Sequence, residues 1–342
     1  MTANNIDDPQ KRIGLEAFLR AAAGANAVHI RKLYRLSGGA VQENWAIDAD
    51  MTGGTHPGPH QWVLRTDAAA RVEASLKRAE EFEILRVAHL HGLHAPQPLW
   101  LCRDTAITGR EFFIMQRLPG IASGHRVTRE PELVPDGALL ARELATNLAR
   151  LHEIKPPQPR LTFLDTMLAR DNVAQYRRYL DQLSSAHPAL EWGLRWCEIN
   201  APVDEETTFI HRDYRTGNYL VHEGRLAGVL DWEFAAFGNP LEDVGWIFAK
   251  CWRFAGKSRP AGGIAEAAAF LVPYERASGR RITPAALLYW QVMAHIRWAV
   301  IALQQAQRHL SGVERSLELA LTGRIVAELE HEIIALTRTE DR

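Results

Sequence analysis

Residues 209–245, FIHRDYRTGNYLVHEGRLAGVLDWEFAAFGNPLEDVG, restrict this chain more than any other stretch. Two apolar, strand-like runs, 219–221 and 226–230, flank His222-Glu223-Gly224-Arg225. The glycine supplies the positive φ of a tight turn, so the spacing predicts a β-hairpin. Pairing counted back from a turn centred on Glu223-Gly224 sets Asp231 opposite Thr216, at the same end as Asn218. Asp213 falls in the loop just before them. A plain surface hairpin would use similar turn residues but would not need three polar groups converging at one end.

One carboxylate beside an amide oxygen and a second carboxylate suits phosphoryl transfer. That chemistry needs a carboxylate facing the acceptor hydroxyl, and oxygen ligands for the Mg²⁺ that bridges the nucleotide phosphates. Asp213 is the candidate for the first role, and Asn218 and Asp231 for the second.

Composition narrows the class. The 342 residues are 46% hydrophobic and 24% charged, which suits one large or two smaller cores. A net charge of −1 gives no global basic field, so a nucleic-acid partner is not expected. Three scattered cysteines, Cys102, Cys197 and Cys251, without C-x-x-C, read as reduced thiols of a cytoplasmic protein. No apolar signal region opens the sequence, and no run of about 18 apolar residues predicts a membrane partner. The expected partner is a small molecule with a hydroxyl group, and the expected assembly a monomer or homodimer.

The 209–245 stretch resembles the catalytic core of the aminoglycoside phosphotransferase and choline kinase family. Its typical pattern is H-G-D-x-x-x-x-N, a hairpin ending in I-D-W-E, then G-x-P-x-x-D. Here these are His211-Arg212-Asp213 with Asn218, then Leu230-Asp231-Trp232-Glu233, then Gly238-Asn239-Pro240-Leu241-Glu242-Asp243. Arg212 replaces the family's glycine and gives the protein-kinase spelling. The resemblance implies a two-lobed, protein-kinase-like α+β fold that binds ATP and Mg²⁺ in its cleft. The first lobe, residues 1–118, would be a small antiparallel sheet with one long helix. The second, residues 119–342, would be mostly helical and catalytic. His211 and Asp243 are expected to fix the catalytic loop. The partner of Arg212 stays open among Asp243, Glu242 and a substrate anion. No long activation loop and no A-P-E follow Asp231, which disfavours a protein kinase.

In the first lobe, a helix is expected over 10–23, with Ile13, Phe18 and Leu19 inward. Strands over 28–36 and 44–48 flank Ser37-Gly38-Gly39-Ala40, whose backbone N–H groups would cover the phosphates. The third strand, 61–66, carries Arg65 where kinases carry a lysine. The L-R pair there is similar to kinase domains fused to acyl-CoA dehydrogenases. A guanidinium holds oxyanions bidentately, so the role survives with altered geometry. A helix over 68–91 would bury Val72, Leu76, Ala79, Phe82 and Leu85. The family pattern maps its Arg65-pairing acid onto Glu81, with Glu80 and Glu83 as rivals. The fifth strand, 111–118, would lead into the hinge, with adenine on the backbone of Gln116 to Leu118 behind Met115.

The second lobe is expected to open with a polar insert, 123–136. Helices are expected over 139–152, 163–183, 190–199, 244–255, 284–306 and 313–336, with His152 structural. In this family the helices after the second metal aspartate build the acceptor pocket. Here Arg253, Lys257, Arg259, Arg276, Arg280 and Arg281 outnumber Glu266 and Glu275, with Trp252 and Phe254 interleaved. That excess predicts an anionic hydroxy acceptor, such as a hydroxyacyl thioester. The alternatives are an aminoglycoside O-phosphotransferase and a catalytically silent nucleotide-binding scaffold.

Overall fold

The computed structural model describes residues 6–36, 42–67, 76–183 and 185–338. The glycine turn of Ser37, Gly38 and Gly39 lies outside them. The chain forms two compact units: Met1–Pro119 with Trp232–Phe234, and Gly120–Asp231 with Ala235–Arg342.

The first unit opens with α1 (Pro9–Ala23). Asp8 accepts the Gln10 N–H at 3.0 Å, Pro9 suits the first turn, and Gly24 ends the helix at φ 61°. Leu15, Leu19 and Ala23 form its buried stripe. Ile13, expected inward, is 60% exposed, because two residues before Leu15 is the opposite helix face. Then come β1 (Ala27–Arg35), β2 (Gln42–Thr52), β3 (Gly58–Asp67), α2 (Arg78–Leu90), β4 (Pro98–Cys102), α3 (Thr105–Thr108) and β5 (Phe112–Gln116). The strands form one antiparallel sheet in the order β1-β2-β3-β5-β4. α1 packs Leu15 and Leu19 with Ile30, Ile47, Leu64 and Ile114 on one face. On the other, Phe82 of α2 meets Phe113 edge-on at 5.8 Å. The described part of α2 begins later than expected. Leu76 and Lys77 are not helical, and the Glu80 carboxylate caps the chain by accepting the Lys77 N–H at 2.8 Å.

The second unit contains α4 (Gly124–Arg129), α5 (Gly137–Leu151), β6 (Thr166–Met167), α6 (Ala169–Leu180), α7 (Pro188–Ile199), β7 (Thr208–Ile210), β8 (Tyr219–His222), β9 (Arg225–Val229), β10 (Ala236–Gly238), α8 (Leu241–Phe248), α9 (Ala267–Ser278), α10 (Pro284–Leu310), α11 (Leu317–Arg324) and α12 (Val326–Thr337). α5 buries Leu140, Leu144, Leu148 and Leu151, as its spacing requires. Three expectations fail at boundaries. The helix expected from 163 starts at Ala169, because Thr166–Met167 pairs with β10 and Asp171 caps the Leu168 N–H at 3.0 Å. The helix expected over 244–255 spans Leu241–Phe248 and gives way to a 3₁₀ turn at Lys250–Trp252. The helix expected over 313–336 breaks at Ile325 into α11 and α12.

α10 is the axis of this core: Trp290, Met293, Ile296 and Val300 pack with Val173, Leu194 and Ile333 from α6, α7 and α12. By length and composition α10 is apolar enough to cross a membrane, although Gln291, His295 and Arg297 interrupt its apolar residues. However, 61% of its most apolar window is buried inside the protein. α8 lies close against α10. A Cβ on Gly245 would stand 2.4 Å from the Trp290 Cβ, so only glycine permits this approach.

Candidate active site

The β8–β9 hairpin turns through Glu223 at φ 50° and Gly224 at φ 75°, the signature of a two-residue turn with both centres left-handed. Val221 faces Leu226, but Leu220 faces Gly228, because a bulge admits one extra residue on β9. The bulge corrects the counted register. Leu230 donates its N–H to the Asn218 carbonyl at 2.8 Å, so Asp231 follows directly on Asn218's partner and does not lie opposite Thr216. Asp231 is left-handed at φ 59°, a conformation that costs a side-chain-bearing residue on the order of 1–3 kcal/mol.

The structure brings Asp213 and Asn218 together. The Asn218 amide nitrogen donates to the Asp213 carbonyl at 3.1 Å and also to Asp213 Oδ2. Asp213 Oδ1 accepts the Trp246 indole N–H at 2.8 Å and Arg215 Nε at 3.0 Å. Because the Asn218 nitrogen is engaged on Asp213, its amide oxygen is the atom left to face a cation. Among the described residues no group of three or more His, Cys, Asp or Glu forms a closed metal site. The Asn218 oxygen and the Asp231 carboxylate are the oxygen donors that could hold Mg²⁺, an ion that takes one or two protein oxygens together with phosphate oxygens and water.

Asp243 organises the loop from beneath. Its carboxylate is fully buried and accepts the His211 N–H and the Arg212 N–H, each at 2.7 Å. His152 Nε2 lies 3.2 Å from the same carboxylate, and His152 Nδ1 lies 2.8 Å from the Tyr274 hydroxyl. Burial pushes the His152 pKa down, so the neutral ring donates from Nε2 and accepts at Nδ1. Burial works to raise the Asp243 carboxyl, but its hydrogen bond with His152 and the adjoining loop hold it below its ordinary value. Burial also pushes His211 down. Its Nε2 bonds the Leu230 carbonyl at 2.9 Å and its Nδ1 accepts the Asp213 N–H at 3.1 Å. His211 thus ties Asp213 to the strand that leads into Asp231.

Arg212, left-handed at φ 62°, donates to Glu242 at 2.9 Å and to Asn172 at 2.9 Å. Of its three candidate partners, Glu242 takes the side chain and Asp243 takes only the backbone. Burial opposes the guanidinium charge, but Glu242 outweighs it and the pKa is raised. Arg297 of α10 donates to the Arg212 carbonyl and lies 4.7 Å over the Trp246 ring.

In the first unit, Arg65 on β3 and Glu81 on α2 form a buried ion pair at 2.8 Å. The rivals have other work: Glu80 caps α2, and Glu83 pairs with Arg86 at 3.0 Å. Arg78 binds the second Glu81 oxygen and reaches Asp67 at 2.8 Å. Met115 is buried in β5. The Gln116 and Arg117 N–H groups are taken by the carbonyls of Gln97 at 2.9 Å and Gln61 at 3.2 Å. A base hydrogen-bonded to this segment's amides would therefore use Leu118.

The basic segment after Asp243 is less free than its letters imply. Arg280 pairs with Glu206 at 2.7 Å, and this hydrogen bond helps pull the Glu206 carboxyl down to about 2. Arg253 donates to the Phe248 carbonyl at 3.1 Å, and Arg259 to the Thr128 carbonyl.

Sequence reasoning offered Glu242 among the partners of Arg212 but missed Trp246, Asn172, Arg297, Arg215 and Arg78. Only Arg215, two residues after Asp213, carried a local signal.

The chain is 28% identical over 247 residues to acyl-CoA dehydrogenase family member 10 of Mus musculus, covering 68% of this chain and 21% of the relative. It is 30% identical over 177 residues to acyl-CoA dehydrogenase family member 11 of Gallus gallus, covering 48% and 22%. The chain thus spans about a fifth of the length of these relatives. The macrolide 2'-phosphotransferase of Brachybacterium faecium superposes with a TM-score of 0.60 at 20% identity, over 98% of this chain and all of that one. The aminoglycoside phosphotransferase APH(4)-Ia, solved with AMP-PNP and hygromycin B, gives 0.59 at 16% identity over 95% and 99%. These neighbours establish a kinase-like fold. The model of the phosphotransferase enzyme family matches residues 32–281, and the chain belongs to that family.

Proposed function

We propose that this protein transfers the γ-phosphoryl group of ATP to a hydroxyl of a small acceptor, with Mg²⁺. The observation that carries the reading is Asp213. It is a partly exposed carboxylate fixed by Asn218, Trp246 and Arg215, next to an amide oxygen turned away from it. Asp213 orients the acceptor hydroxyl and takes its proton. Asn218 and Asp231 hold Mg²⁺, which when bound neutralises charge on the phosphates. Arg65, braced by Glu81, holds phosphate oxygens. His211 and Asp243 keep the loop in register, and Arg212 anchors it to α8 through Glu242.

For the acceptor we propose an anionic hydroxy compound, with a hydroxyacyl thioester as the leading candidate. Arg253 and Arg259 are held by backbone carbonyls rather than by acids, so their charge is not cancelled by those bonds. The relatives' acyl-CoA dehydrogenase names point to the same chemistry. Aminoglycosides remain the second reading, because a structural neighbour was solved with hygromycin B. The test is Mg²⁺-dependent ATP consumption against hydroxyacyl-CoAs, amino alcohols, sugars and aminoglycosides. A hydroxyacyl-CoA should be preferred, with kcat/KM falling as salt screens the attraction over about 8 Å. Aminoglycoside turnover above roughly 10⁴ M⁻¹s⁻¹ in kcat/KM would overturn the acceptor assignment.

A further inference from the structure

We propose that Arg215 is a catalytic residue whose guanidinium contacts the phosphoryl group during transfer, an inference that rests on the phosphotransfer reading above. Arg215 Nε donates to Asp213 Oδ1 at 3.0 Å, and Nη1 donates to the Thr216 carbonyl at 3.2 Å. The guanidinium carbon lies 4.2 Å over the ring of Trp252, which is buried. On another side stands Gly217, at φ 103°, where a Cβ would come within 2.9 Å of Nη1. A carboxylate, an aromatic face and a bare Cα therefore seat one cation beside the reactive group.

Fixing the Asp213 rotamer does not require this cation. Trp246 already holds Oδ1, and Asn218 holds Oδ2. What Arg215 adds is charge and a planar fork of donors suited to phosphoryl oxygens. No described residue accepts a hydrogen bond from its Nη2. The acceptor oxygen must lie within hydrogen-bond reach of Asp213, and about 3–3.5 Å from phosphorus in a productive complex. A phosphoryl group so placed comes within reach of a guanidinium already bonded to Asp213.

In that step the bond from acceptor oxygen to phosphorus forms as the bond from phosphorus to the bridging oxygen of ADP breaks. The acceptor proton passes to Asp213, and the electron pair leaves on ADP. Arg215 exchanges no proton. It balances the negative charge on the non-bridging oxygens, the kind of stabilisation on which phosphoryl transfer chiefly depends.

The test uses ATP, Mg²⁺ and water as the acceptor, so that no contact with an acceptor's own anion can contribute. Arg215→Ala should lower kcat on the order of 10²-fold with little change in KM for ATP. Added guanidinium chloride should restore part of the loss, which it would not do for a purely structural arginine. Arg215→Lys should fall between wild type and Arg215→Ala, and it keeps the inference testable if the alanine variant does not fold. An active wild type with undiminished Arg215→Ala or Arg215→Lys turnover overturns this inference alone. So does a loss that guanidinium leaves untouched while the melting temperature drops. A wild type that passes phosphate from ATP to no acceptor, water included, overturns the phosphotransfer reading itself.

Discussion

The indole N–H of Trp246 donates to Oδ1 of Asp213 at 2.8 Å, across 33 residues of sequence. Trp246 sits on α8, the helix that also carries Glu242 and Asp243. Its ring lies under Arg297 of α10, at 4.7 Å. One short helix therefore fixes the candidate base, the loop amides and Arg212 together, and α10 holds that helix in place.

Trp246→Phe keeps the ring for Arg297 and removes only the donor. A hydrogen bond to a charged group contributes about 1.5–3 kcal/mol. Part of that loss should appear as an approximately tenfold lower kcat, since about 1.4 kcal/mol is one decade. Steady-state kinetics with a parallel thermal melt check this. An unchanged kcat would remove Trp246 from the positioning of Asp213.

Arg212 and Glu242 form a pair whose side chains are 13% and 5% exposed. Removing one partner of such a pair leaves the other buried and uncompensated, at a cost of about 3–5 kcal/mol. Arg212→Ala and Glu242→Ala should each lose stability on that scale in urea unfolding. Arg212→Met with Glu242→Met should lose less than the sum. Additive losses would show that the pair is not coupled.

Gly245→Ala should destabilise by about 1–3 kcal/mol and lower kcat, because its Cβ meets Trp290 Cβ and backbone at 2.4–2.6 Å. Gly14→Ala on α1 is the contrast. There the nearest atom is 3.5 Å away, and stability should rise by about 0.4–1 kcal/mol. Thermal melts of both variants check the pair of signs.

His152, His211 and His295 all have pKa values pushed down, chiefly by burial. Below the unfolded-state value of 6.5 the unfolded chain takes up protons that these native rings refuse. Stability should therefore be flat from pH 8 to about 6.5 and then fall, by up to about 1.4 kcal/mol per pH unit for each ring. Asp243, whose pKa is also lowered, stays ionised in that window and its contribution fades only below about pH 3.9. Melting temperatures from pH 8 to 5 test the sign. A flat profile down to pH 5 would contradict it.

The site was legible in the sequence where chemistry is local. Asp213, Asn218 and Asp231 lie on one loop and one hairpin, the turn residues marked that hairpin, and Asp213 and Asn218 meet in the structure. The bulge at Leu220 and Val221 was not legible, because no residue type marks it, and it moved Asp231 one position. Arg65 and Glu81 were found through the family pattern, and geometry excluded the rivals. Trp246, Asn172 and Arg297 meet the loop from 33, 40 and 85 residues away, and such contacts have no spacing signature. Helix ends failed where local hydrogen bonds, such as those of Glu80 and Asp171, outweighed periodicity.

The central claim is that Asp213 faces the acceptor while the nucleotide is held elsewhere. The most direct measurement is the rate of labelled γ-phosphoryl transfer at saturating ATP and Mg²⁺ for wild type and Asp213→Asn, with ATP affinity measured by calorimetry on the same samples. The account predicts a loss of about 10²-fold or more in kcat, with ATP affinity nearly unchanged. Wild-type turnover in Asp213→Asn, or a loss explained entirely by weaker ATP binding, would contradict it.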